Sequence, residues 1–223
     1  MGRVLLACLI LSLFLFAVPD MGLAQGADVI KLPPPQTDGG KPLMQALKLR
    51  QSTRGDFGPD VKLSLQVISN LLWAADGVNR PDGHRTAPSA VDWQNIDIYV
   101  TTADGLFLYD APKHELKVVG KEDVRAVAGQ QDFVKTAPLN LIYIADMAKA
   151  KGFGGKGEIM ATAETWSFAG VGFIAQNVYL YCASEGLACI VRAMVDAKAI
   201  ATTLKLRPDQ KVILAQTVAH FKK

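Results

Sequence analysis

Four segments of this chain group residue types that bind charged or heterocyclic ligands. The first, Arg50-Gln51-Ser52-Thr53-Arg54, sets two guanidiniums, an amide and a hydroxyl on one short stretch. Arginine offers planar, bidentate donors, so this pattern suits a phosphate. A solvated basic helix end is the plain alternative. The second runs from His84-Arg85-Thr86-Ala87-Pro88-Ser89-Ala90 into Asp92-Trp93-Gln94-Asn95. Pro88 fixes the backbone, while Ser89, Asp92 and Gln94 put hydrogen-bonding groups on a loop that enters a strand. Such a loop suits the polar edge of a heterocycle, although an ordinary Asx turn uses the same residues. His84 reads as a surface histidine of that loop and not as a base. The third segment, Ala169 to Asn177, carries Gly170 and Gly172 inside a helix. Each costs about 1 kcal/mol relative to Ala there, which points to close approach of another backbone or a flat ligand. The fourth, Glu185 to Ala193, leaves that helix and runs extended, so its amides are candidates to face a ligand.

The elements that hold these segments follow from periodicity. Met44 to Arg50 is a short amphipathic helix leading into the first segment. Ser64 to Ala75 repeats apolar residues at Leu65, Ile68, Leu71 and Leu72, a helical period with Ser64 as N-cap. Ile96 to Thr101, Leu106 to Asp110 and Leu116 to Val119 read as a meander of strands. Leu139 to Ala145 is too continuously apolar for an exposed strand and belongs in the middle of a sheet. A long helix over about Glu158 to Ser184 is apolar on most faces, so a core or a subunit interface must bury it. Asp196 to Leu204 is a short helix and Val212 to Val218 a last strand. The order predicts an α+β fold with one mixed central sheet flanked by helices.

Arg3 followed by the apolar run Val4 to Val18, then Gly22-Leu23-Ala24, has the form of an export signal cleaved after Ala24. An uncleaved anchor is the alternative, but a run of about fifteen residues is short for a bilayer core of about 30 Å. No stable membrane insertion is expected once the signal is removed, and the location is then periplasmic or extracellular. Residues 25–42 read as a linker rich in proline and glycine, and residues 43–223 as one domain. A net charge of +3 without a basic run gives no footing for a nucleic acid. Neither CxxC nor histidine spacing marks a metal site. Beyond Cys8 in the leader, the chain has Cys182 and Cys189. On one straight helix these stand about 10 Å apart, too far to bridge. Two inert buried thiols are the simpler reading, and a bridge requires the helix to end between them, which Gly186 permits.

The order and spacing of the four segments resemble the nitroreductase family, and especially its branch of thiazole- and oxazole-forming dehydrogenases. The stretch Leu71-Leu72-Trp73-Ala74-Ala75-Asp76-Gly77-Val78-Asn79, followed by Arg85 to Ala90, carries the likeness together with Gln176-Asn177, Leu180 and Glu185-Gly186-Leu187. The resemblance covers roughly Leu43 to His220. It implies an intertwined homodimer with FMN in a cleft at the subunit interface. Arg50, Gln51 and Ser52 match positions on the phosphate and ribityl chain, and Arg54 matches one at the pyrimidine edge. Pro88, Ser89, Asp92 and Gln94 match a loop supplied by the other subunit. Val191, Arg192 and Ala193 match a segment whose backbone donates toward flavin N5 and O4. The chain departs from the pattern in three places: Asp92 stands where a neutral amide is usual, Ala219-His220 where a glycine follows the last strand, and the sequence stops at Lys223.

The implied activity is hydride or electron transfer through flavin N5 to a small organic substrate, from an unidentified electron donor and without a side-chain nucleophile. Two other readings stand beside it. One is a relative without redox turnover that binds flavin or another ligand; the other is a peptide-modifying dehydrogenase that needs partner proteins.

Overall fold

A computed structural model describes residues 29–55, 57, 58, 61–150 and 156–222, with the backbone alone over 156–162. The proposed leader therefore lies outside the described residues. Among the described residues seven strands form one sheet: β1 (Val29–Lys31), β2 (Ile96–Thr102), β3 (Gly105–Asp110), β4 (Glu115–Gly120), β5 (Leu139–Asp146), β6 (Leu187–Arg192) and β7 (Gln210–His220), in the spatial order β1-β4-β3-β2-β5-β7-β6. The α+β architecture is present as expected, but every pairing in the sheet is antiparallel rather than mixed. The reason lies in the connections. The meander reverses direction at each turn, and the long helix returns the chain to the edge, where β6 pairs antiparallel with β7.

Two layers of helix cover the sheet. On one face lie α1 (Leu43–Leu49), α2 (Leu65–Asp76) and α3 (Lys156–Glu185). They pack over Ile98, Val100, Leu139, Leu141, Tyr143 and Val218. On the other face α4 (Ala197–Thr203) and single 3-10 turns at Arg125–Ala128 and Asp132–Lys135 cover Tyr99, Ile142 and Ile144. All eight residues of β5 are buried, as its unbroken apolar run requires. Ser64 caps α2 by accepting from the Val67 amide.

The stretch 25–42 is more than a linker over its described part. Val29–Lys31 pairs with β4, and Ser69 donates to the Pro33 carbonyl at 2.6 Å. His114 braces the same corner, with one ring nitrogen 2.8 Å from Ser69 Oγ and the other 3.0 Å from the Tyr109 hydroxyl.

Helix α3 spans Lys156–Glu185, close to the predicted limits. Its inner face buries Ala163, Ser167, Val171, Ile174, Val178 and Cys182. Its outer face leaves Trp166, Phe168 and Phe173 about half exposed, at 51, 48 and 47 %. Gly172 opens onto that face with nothing near the position of a Cβ.

Candidate functional site

The first segment is laid along the free edge of β6. Arg50 caps the C-terminus of α1, its amide bonded to the Ala46 carbonyl, and the chain then runs extended. Thr53 fixes it there: its amide donates to the Cys189 carbonyl at 2.9 Å, and its hydroxyl accepts from the Cys189 amide at 3.2 Å. This brings Arg50 and Ser52 onto Tyr179 of α3. The Arg50 guanidinium sits 5.4 Å from the Tyr179 ring centroid, and Ser52 Oγ is 2.9 Å from the Tyr179 hydroxyl. The same hydroxyl accepts from the Val191 amide at 2.8 Å. Gln51 lines an adjoining cleft of about 170 Å³ with Leu49, Cys182, Cys189 and Phe221. Arg54 is exposed, and among the described residues neither it nor Arg50 is paired with a carboxylate.

Tyr179 is the hub of this cluster, and sequence reasoning overlooked it. One signal was present: a tyrosine set in a long apolar helix must find a partner for its hydroxyl once buried. Of the fourth segment, Val191 faces α3 and joins the cluster through its amide, which is engaged by Tyr179. Arg192 points to the opposite face because neighbouring strand residues alternate. There its guanidinium donates to the Ala128 carbonyl and Thr217 Oγ1, each at 2.7 Å, and burial lowers its pKa to about 10. Gly129 makes room for it: a Cβ at that position would stand 1.8 Å from Arg192 Nη1. Ala193 is exposed.

The second segment forms a loop at the other end of α3. Asp76, last residue of α2, holds Arg85 at 2.5 Å, with both side chains nearly buried. Burial raises the Asp76 carboxyl to about 6, outweighing the attraction of the guanidinium. Beyond this anchor, Pro88, Ser89 and Gln94 line a small cavity with Asp76, Trp166 and Gly170. Val91, Asp92 and Gln94 all have positive φ, at 49, 54 and 46°. Left-handed backbone at non-glycine residues carries strain, and strain of this kind collects at functional sites. Ser89 Oγ holds the loop by accepting the Gln94 amide at 2.8 Å, and the Gln94 side chain donates to Asp92 Oδ1 at 3.0 Å. His84 lies between Asp82, at 2.9 Å, and Asp92, at 3.8 Å.

One protomer does not unite the two clusters. Tyr179 and Trp166 are thirteen positions apart on α3, about 20 Å by helical rise. Of the departures from the family pattern, His220 pairs with Leu187 at the end of β7 and accepts from the Gly58 amide, and Lys222 is exposed. Among the described residues no group of acidic, cysteine or histidine side chains is arranged to hold a metal. Nor is any helix there long and apolar enough to cross a membrane.

Comparison with known proteins gives this arrangement a family. The profile of the nitroreductase family matches residues 47–220, which takes in both clusters. A solved nitroreductase-family structure from Ralstonia eutropha JMP134 is 40% identical, with a TM-score of 0.81 over 90% of this chain and 93% of the other. A nitroreductase homologue of Methanocaldococcus jannaschii is 32% identical over 139 residues, covering 57% of this chain and 67% of its own. A Desulfovibrio desulfuricans structure in complex with FMN shares the fold at 18% identity and a TM-score of 0.58, over 83% of this chain and 89% of that one. With the profile spanning most of its length and both residue clusters, the chain belongs to the nitroreductase family.

Proposed function

We propose that this protein is an exported, FMN-dependent oxidoreductase that works as a homodimer on a small organic substrate. The convergence of Arg50, Ser52 and the Val191 amide on Tyr179 carries this reading. The residues present fit FMN. The Arg50 guanidinium, without a carboxylate partner among the described residues, suits a phosphate, and the Ser52 hydroxyl and Tyr179 ring lie beside it.

The dimer supplies the other half. The outward side of α3 exposes Trp166 and Phe173 on one flank and Phe168 on the other and is open at Gly172, so a second copy of the helix can approach closely. A two-fold axis crossing α3 near Gly172 and Phe173 sets Tyr179 of one protomer against about position 166 of the other, because antiparallel helices count in opposite directions. Trp166 lines the same cavity as Ser89 and Gln94. The same operation therefore carries Ser89 and Gln94 of the partner subunit to the Arg50 cluster.

FMN, when bound, supplies the redox chemistry, taking up and releasing hydride or electrons. The chain supplies position and charge. Arg50 would neutralise the phosphate and Arg54 would face the pyrimidine edge, while Tyr179 fixes Ser52 and the Val191 segment through one hydroxyl. The strained loop holds the Gln94 amide and the Asp92 carboxylate in a set geometry. Preorganised groups of this kind stabilise developing charge without rearrangement.

The test is a visible spectrum of the protein before and after incubation with FMN, followed by addition of a reductant and then an acceptor. Uptake of flavin, bleaching and recovery support the reading; failure to take up flavin sinks it in favour of a non-redox binding relative. Arg50→Ala is expected to weaken FMN binding by about 1.5–3 kcal/mol.

A further inference from the structure

The two cysteines meet the condition that a bridge requires. Helix α3 stops at Glu185, Gly186 turns the chain with φ at 71°, and Leu187 opens β6. Strand alternation then turns Leu187, Cys189 and Val191 back onto the helix they have just left. The thiols of Cys182 and Cys189 are unbridged and both buried, at 1 and 2 % exposure. Cys189 is held from two further sides. Gln216 Nε2 donates to its sulfur at 3.1 Å, and Thr53 brackets its backbone. Cys182 and Cys189 both line the 170 Å³ cleft that also contains Gln51 and Tyr179.

We propose that Cys182 and Cys189 are a dithiol site that closes an intrachain disulfide when the chain folds in the presence of a reactive disulfide. One thiolate attacks the reagent disulfide, forming a mixed disulfide and releasing one reagent thiol. The second cysteine attacks that mixed disulfide and displaces the other reagent thiol. The two cysteines are oxidised by two electrons in all, the reagent is reduced to two thiols, and both cysteine protons end on the released thiols. Burial holds the Cys182 thiol well above its ordinary value, so little thiolate is available once the protein has folded. Closure therefore belongs to folding, and the folded dithiol reacts slowly. The bridge ties the last turn of α3 to β6, between the two residues whose hydroxyl–amide bond anchors the Arg50 cluster, Tyr179 and Val191. The inference does not depend on flavin binding.

The sequence supplies a direct assay. No lysine or arginine lies between Gly157 and Arg192, so trypsin leaves both cysteines on one peptide and Cys8 on another. The full chain is refolded from denaturant in a buffer of reduced and oxidised glutathione, alkylated under denaturing conditions and digested without reductant. The expected peptide is lighter by two hydrogens and carries no alkyl group; prior reduction restores two alkylated cysteines. The oxidised protein should also unfold at a higher temperature than the reduced one, and a Cys189→Ser variant should lose that difference. Two alkylated cysteines after oxidative refolding would overturn the proposal. So would glutathione retained on either sulfur, because it would show that the second thiol cannot reach the first.

Discussion

The Val191 amide donates to the Tyr179 hydroxyl at 2.8 Å, and this bond joins β6 to α3 across the start of the site. Ser52 Oγ meets the same oxygen at 2.9 Å, so three elements depend on one phenol. Tyr179→Phe keeps the ring under Arg50 and removes only the oxygen. It leaves the Val191 amide without its partner, at an expected cost of about 1–3 kcal/mol in urea unfolding. FMN affinity should fall as well, since Ser52 and the Val191 segment lose their common anchor. Unchanged affinity alongside reduced stability would confine Tyr179 to a structural role.

A buried ion pair anchors the loop that carries Pro88, Ser89 and Gln94, and its strength should depend on pH. Asp76 has its carboxyl raised from 3.8 to about 6 by burial, even with Arg85 at 2.5 Å. A raised carboxyl contributes stability that is present below about pH 4 and lost as pH rises through about 6. Arg85→Met removes the guanidinium that opposes this shift and moves the carboxyl higher still. Near pH 8 the variant must bury an uncompensated carboxylate, at a cost of about 3–5 kcal/mol. Near pH 5 the carboxyl is largely protonated in both proteins and the loss should shrink. Chemical denaturation at the two pH values measures the difference. An equal loss at both would show that Arg85 does not act through the charge of Asp76.

Gly129 is extended, so space and not backbone freedom explains the glycine. An added Cβ would meet Arg192 Nη1 at 1.8 Å, and Arg192 cannot withdraw without giving up its bonds to Ala128 and Thr217. Gly129→Ala should cost about 1–3 kcal/mol in thermal or urea unfolding. In an Arg192→Met background the same change should cost markedly less, because the clash is gone. Additive losses would mean that the two residues are independent.

Elements with a strong local signal were legible in the sequence. Leu139–Ala145 announced a central strand because no polar residue interrupts its core face, and Ser64 announced the start of α2 because its hydroxyl caps within three residues. The Arg50–Arg54 and Pro88–Gln94 segments were legible as pieces, since their residue types are unusual at that spacing. What joins them was not. Tyr179 meets Ser52 across 127 positions, and only the packing of α1 against α3 creates that contact. Arg192 was read with its neighbours as one backbone segment, whereas the register of β6 against β7 sends its side chain to the far face. The strand Val29–Lys31 is three residues long and borders a proline run, and its register on β4 is a property of the fold rather than of its composition.

Phe173 tests the proposed dimer and the completeness of the site together. It is 47 % exposed in the protomer, on the outward side of α3 and next in sequence to the open Gly172. If the axis passes there, each dimer buries the exposed half of two copies of this side chain, worth about 0.7–1.5 kcal/mol each. Phe173→Glu removes both and adds two facing carboxylates. The dimer dissociation constant should then rise by a factor on the order of 10 to 100. Phe173 lies outside the buried core of the protomer, so circular dichroism should be unaltered. Light scattering reports the assembly and flavin fluorescence the binding, and the two should fail together if, as in the proposed dimer, Ser89 and Gln94 reach the Arg50 cluster from the partner subunit. A monomer that still bound FMN at full affinity would place the whole cofactor site within one chain.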